Sequence, residues 1–266
     1  MDDLLRAKLA LEDELIAKLW RILQRYVRER VQARHMGTFR ALAWVGAIED
    51  VLSGHYARVA LICTGRKCPA RPTLADAALS FGHMERMRQN AKHQAVLIIR
   101  GVDRLVADYD AAEARKQTME RKGWTKKLQD KAKAILGKVW GKLRSIANAN
   151  TNPPAEDARM EDVRQRAGNR QLMKRWSTMR DDRVRDWHHD AEGQSRPVND
   201  AFSVGGEQLM FPGDQSLGAS LRNLVNCRCA VIWTARSHDG TFEDLGATVR
   251  ARLSVDEDGR RRWTHN

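Results

Sequence analysis

Cysteine is scarce in this chain of 266 residues: there are four, Cys63, Cys68, Cys227 and Cys229. So few thiols exclude a disulfide-stapled scaffold, and the ring that a C-x-C pair would close is too short to be unstrained. Long apolar runs are missing as well. None approaches the roughly 20 residues that a membrane span needs, and the opening stretch MDDLLRAKLALEDEL has acids where a signal peptide has a basic start. The expected setting is the cytosol, with the cysteines kept as thiols. Internal repeats and low-complexity tracts are absent. The Gly205-Gly206-Glu207 stretch lacks the lysine and hydroxyl of a phosphate-binding loop, so no nucleotide site is expected. No recognisable nucleophile or water-activating group accompanies Asp182, Arg183 and His188, which argues against a hydrolase.

Positive charge is abundant. There are 47 Lys and Arg against 34 Asp and Glu, a net charge of +13, which suits a polyanionic partner such as nucleic acid or an acidic protein face. Hydrophobic residues make up 42%, enough for a buried core.

In residues 1 to about 34, Leu4, Leu11, Leu15, Leu19, Leu23 and Val27 recur at threes and fours, which predicts an amphipathic helix. A second helix is expected over 39–52, stopped by Ser53-Gly54, followed by a loop through CTGRKCPARP with Thr73 as the next N-cap. Residues 74 to about 121 read as one long helix or two joined ones, with Gly82 and Gly101 as weak points. Residues 115–144 carry eleven Lys or Arg against two acids, interleaved with Trp124 and Trp140. Two readings of this segment stay open: a solvated helix face, or a surface that tracks phosphates while the tryptophans stack on bases. The DNA-binding candidates are Arg121, Lys122, Lys126, Lys127, Lys131, Lys133, Lys138, Lys142 and Arg144. The turn formers of NANTNPP (148–154) predict a helix end and a linker, with a short helix from 155 to about 174 beyond it. After Trp176, glycines and prolines separate the short apolar pieces FSV, LMF and AVIW, the mark of short strands. The predicted fold class is α+β, with long N-terminal helices followed by a small C-terminal domain of short strands. Its expected divisions are 1–114, a helical docking region; 115–154, a basic helix and linker; and 155–266, the C-terminal domain with an exposed tail.

Thiols and imidazole are zinc ligands, so His188, Cys227 and Cys229 form a candidate metal set, with His189 or a distant cysteine as the fourth ligand. Alternating cysteines on one strand can share an ion only if the backbone bends. Burial as small hydrophobes beside AVIW is the commoner fate of free cysteine, and that reading stays open. His188 has an alternative of its own, a hydrogen bond to a backbone carbonyl that clamps the turn before Gly193. Gly205-Gly206 and Pro212-Gly213 read as turns at positive φ, and Arg183 or Arg185 as a structural partner for a carboxylate.

Taken in order, WSTMRDDRVRDWHHDAEG, FSVGGEQLMFPGD and NCRC resemble the C-terminal domain of the phage Mu F-like minor head proteins, also called phage head morphogenesis proteins. The matching positions are Asp182, Arg183, Val184, Arg185, His188, Gly193, Pro212, Gly213, Asn226, Cys227, Arg228 and Cys229, over about residues 156–234. The resemblance implies a minor capsid protein of a tailed phage or prophage, acting at the portal vertex during head assembly and not an enzyme. Its implied partners are the portal protein, the major capsid protein and packaged DNA, with several copies or a ring at the vertex and no membrane span. Its implied location is the virion, and the host cytoplasm during assembly. The N-terminal helices would dock through their apolar stripe. Two alternatives remain: a metal-dependent or toxin-like enzyme, because the domain also occurs fused to toxin and transferase modules, and a stand-alone nucleic-acid-binding module.

Overall fold

The structure is a computed structural model that describes residues 2–36, 41–77, 79–115, 124–237, 239–246, 251–255 and 261–265. Four long helices open the chain: α1 (Asp2–Met36), α2 (Ala41–Cys63), α3 (Phe81–Arg115) and α4 (Trp124–Ala149), with a 3-10 turn at Leu74–Ala77. They pack on one core to which every helix contributes, among others Leu19 and Leu23, Ile48 and Leu52, Ile98 and Val102, Val139 and Leu143. The apolar stripe of α1 therefore faces inward. Leu11, Leu15, Leu19, Leu23 and Val27 are buried, so the stripe expected to dock on a partner is consumed by the neighbouring helices.

Helix α2 runs through Ser53 and Gly54 to Cys63 instead of stopping at them. A helical glycine costs about 1 kcal/mol relative to alanine, and the burial of Tyr56, Val59, Leu61 and Ile62 beyond it outweighs that cost. Helix α3 is likewise unbroken through Gly82 and Gly101. Among the described residues, no helix is long and apolar enough to cross a membrane.

Helix α5 (Asn152–Ala167) begins directly after α4, with Thr151 in the N-cap position and Pro153 and Pro154 in the first turn, where a missing N–H costs nothing. It ends at Gly168, at φ 59°, well before residue 174. The next segment forms β1 (Leu172–Thr178), which alternates in burial as far as Trp176 and is buried on both faces from there to its end. With β2 (Ser195–Pro197), β5 (Cys229–Arg236) and β6 (Phe242–Asp244) it makes a four-stranded sheet of order β2-β1-β5-β6, antiparallel throughout. The long pair is β1 with β5, in register from Leu172 opposite Ala235 to Thr178 opposite Cys229.

Strands β3 (Phe202–Val204) and β4 (Glu207–Leu209) form a hairpin, so FSV is a strand as expected, whereas LMF supplies only its first residue. Phe211 and Asp214 close the Pro212-Gly213 turn, and Met210 N–H is drawn to the Asp214 carboxylate. In the tail, β7 (Ala251–Val255) and β8 (Arg261–His265) pair as a second hairpin.

Bundle and sheet share a seam. Leu4, Leu5, Leu11, Val59, Ile62 and Cys63 pack with Ala155 of α5 and Ala230 of β5. In the middle of this apolar contact, Glu156 accepts from Lys8 (2.6 Å), Arg159 (2.9 Å) and the Val231 N–H (3.3 Å).

Candidate functional site

The N-C-R-C turn is built from its first residue. Asn226 sits at φ 54°, a left-handed conformation that asparagine tolerates better than most residues. Arg185 donates from its guanidinium to the carbonyl just before it, on Val225. The bend this makes is the one a C-x-C pair requires. Cys227 turns inward ahead of the strand, Arg228 turns outward, and Cys229 turns inward as the first residue of β5. Facing them is the one-turn helix α6 (Asp186–His189), which aims His188 into the same space.

His188, Cys227 and Cys229 are 1%, 2% and 0% exposed, and their ligand atoms all lie within 4.8 Å of one another. His188 Nδ1 is 3.4 Å from Cys229 Sγ and 3.6 Å from Cys227 Sγ. Hydrogen bonding from Cys229 holds the Cys227 thiol well below its ordinary range despite burial. Cys229 moves the opposite way, pushed up by burial and by its neighbour Cys227. One proton shared between the two sulfurs satisfies both directions. The buried Trp176 indole N–H, which finds no conventional acceptor, lies against Cys229 and favours negative charge there. Burial this complete keeps substrate away from the thiols; what the group can do is pack or hold an ion. His189 does not join it. That side chain is exposed, with Nε2 3.4 Å from the Asp181 carbonyl. Cys63 and Cys68 belong to the helical half.

A second layer braces the group from the turn predicted as a linker. Asn148 accepts from Cys227 N–H (3.1 Å) through Oδ1 and donates through Nδ2 to the Cys227 carbonyl (3.1 Å) and to Glu12 (2.8 Å). Asn152 donates to the same carbonyl at 2.8 Å. The NANTN turn is thus a buried grip on the backbone of Cys227. Asparagines normally read as turn formers, which is why their spacing gave no sign of this role.

The remaining motif positions divide by task. Arg228 pairs with Asp181, which that contact holds below the usual carboxylate range, so this ion pair takes the place expected for Arg183 or Arg185. Asp182 and Arg183 are exposed. Gly193, at φ 78°, donates its N–H to the Trp176 carbonyl at 2.9 Å and closes the loop after α6. Gly213, at φ 86°, stands so close to Pro153 that a Cβ there would lie 3.3 Å from the ring, joining the P-G turn to the start of α5.

The basic candidates lie along and before α4. Arg121 and Lys122 fall outside the described residues, as do the side chains of Trp124, Lys126 and Lys127. Lys131 is buried and paired with Asp110, and Arg144 is engaged by Asp13 at 2.8 Å and Glu12 at 3.7 Å. Lys133, Lys138 and Lys142 are exposed, as is Trp140, which meets Trp20 edge-on at 4.9 Å.

The sealed thiol–imidazole cluster, introduced by D-R-V-R and closed by N-C-R-C, lies within the stretch of the chain that a known family model matches. Residues 110–232, just under half of the chain, match the family model described as Phage Mu protein F like protein, and over that stretch the chain is similar to this family of phage head proteins. The match starts well upstream of 156, in the last turns of α3, and takes in α4 and the NANTN turn. Comparison with curated proteins and with solved structures returned no match.

Proposed function

We propose that the protein is a minor head protein of a tailed phage or prophage, working at the portal vertex during head assembly, with α4 touching packaged DNA. The family match over 110–232 carries the reading. Charge supports its DNA part. Within the matched stretch, Lys133, Lys138 and Lys142 project from α4 and form no ion pair among the described residues, whereas Lys131 and Arg144 are engaged inside the fold. Docking on a portal or major capsid subunit would use the open groove between α1 and α4, lined by Trp20, Val31, Leu128, Leu136 and Trp140, in place of the buried stripe of α1. The role is architectural, exercised in the virion, in several copies.

Two measurements test it. Replacing Lys133, Lys138 and Lys142 together by glutamate should weaken binding to duplex DNA at least tenfold and flatten its salt dependence, by about 0.9 in log–log slope for each phosphate no longer neutralised. An unchanged affinity and slope remove DNA from the reading. Coexpression with the portal protein of the same phage, followed by mass spectrometry of purified procapsids and virions, should find the chain in both complex and particles; its absence from both overturns the head reading.

A further inference from the structure

We propose that His188, Cys227 and Cys229 bind one zinc ion, which pins α6 to the start of β5 across 39 and 41 residues of sequence. The inference stands apart from any role in the phage head.

Its first support is a fixed tautomer. Asn223, the third residue of the one-turn helix α7 (Leu221–Leu224), donates from Nδ2 to the Val204 carbonyl (3.1 Å) and to Glu207 (2.7 Å). Its Oδ1 is thereby left to accept, and does so from the Trp187 indole N–H at 2.6 Å. The same Oδ1 faces His188 Nε2 at 3.3 Å, which places the ring proton on Nε2. In the neutral ring Nδ1 then presents a lone pair to the two sulfurs. A histidine that bonds a metal through one nitrogen and gives its other N–H to an oxygen is the usual arrangement around zinc.

The second support is distance. Zinc bonds of about 2.3 Å to sulfur and about 2.0–2.1 Å to nitrogen, at tetrahedral angles, put sulfur and nitrogen about 3.5–3.6 Å apart. The two observed separations are 3.4 and 3.6 Å. A single lone pair or proton on Nδ1 serves one sulfur well, whereas a cation at the centre serves both at once.

The third is charge. Two thiolates and Zn²⁺ sum to zero, which suits a site enclosed by Trp176, Phe202 and Leu224. The ligands are also held from behind, Cys227 by Asn148 and Asn152 and Cys229 by its pairing with Thr178. Among the described residues no fourth His, Cys, Asp or Glu joins the set, so the fourth corner falls to a water enclosed with the ion.

The test uses the full chain, free of tags, purified reduced and then reconstituted with zinc or cobalt(II). One equivalent should survive desalting, and the cobalt form should show the near-ultraviolet sulfur-to-cobalt charge-transfer band of thiolate ligation. Cys227→Ser should lose both. Asn223→Ala, which leaves the three ligands in place, should bind zinc about 10–100-fold more weakly. Should the cysteine variant not fold, the wild-type protein decides alone: retention below a tenth of an equivalent, or bound cobalt without a sulfur band, overturns the proposal.

Discussion

The helical bundle and the sheet domain are held together by different means. In the bundle, the long helices satisfy their own backbone and offer apolar stripes, so a core of aliphatic residues with Tyr26 and Tyr56 gains stability with area removed from water. The sheet domain has strands of three residues apart from β1, β5 and the tail hairpin. Such strands bury little area, and the domain compensates with large rings and placed polar groups. Trp176, Trp233 and Phe202 fill the core, while Lys174, His188, Asp214 and Asn223 are buried among them and occupied by specific partners.

The sharpest way to break this division is at the seam, where a buried ion cluster joins α1 to α5. Glu156 is the one carboxylate shared by Lys8 and Arg159, and all three are closed off from water. Removing one partner of a buried pair leaves charge uncompensated and costs about 3–5 kcal/mol. Glu156→Ala should therefore cost that much in urea unfolding, because it leaves Lys8 of α1 and Arg159 of α5 buried without their shared carboxylate. A loss below about 1 kcal/mol would mean that this ion cluster adds little to the joint between the halves.

One step smaller is the grip on the cysteine turn. Asn148→Ala removes the bonds to Glu12 and to both polar groups of the Cys227 backbone, and Asn152 can replace only the one to the carbonyl. An orphaned buried donor costs about 1–3 kcal/mol. The Cys227 amide should then exchange hydrogen faster than those of β5, while the amides of α2 and α3 keep their protection. Uniform loss of protection across the chain would instead show that the turn supports the bundle as much as the sheet.

The same division explains what could be read before folding. Helices signal themselves locally, through stripes such as Leu15, Leu19 and Leu23, so the bundle was legible apart from the extent of α2 past Gly54. Strand β1 was not. Its pattern hides a lysine, since Lys174 is buried, donates to the Met210 carbonyl and lies over the Phe202 ring, so the alternation of apolar residues is broken where the strand is most enclosed. His188, Cys227 and Cys229 stood out because thiols are rare here. Asn148, Asn152, Asp181 and Asn223 did not, because their function comes from partners 75 to 79, 47 and 35 residues away, and locally they look like any turn. A polar residue that is buried by a distant segment leaves no periodic trace.

The smallest expected effect sharpens the comparison by asking whether a polar group in the bundle behaves like those of the sheet. Glu12 is buried against Asn148, and burial raises its pKa from 4.5 to about 7, although Asn148, Arg144 and Lys8 act in the other direction and Asp13 adds slightly to the rise. A carboxyl with a higher pKa folded than unfolded holds its proton longer in the native state. Its contribution to stability is therefore complete below pH 4.5 and is lost as the pH climbs through about 7. Glu12→Gln keeps the acceptor for Asn148 and removes the titration. It should gain on the order of 1 kcal/mol at pH 8, a rise of about 2–4 °C in Tm for a chain of this size, and little at pH 5. Equal gains at both values would assign the effect to packing and not to the buried charge, and would place Glu12 with the aliphatic core that surrounds it.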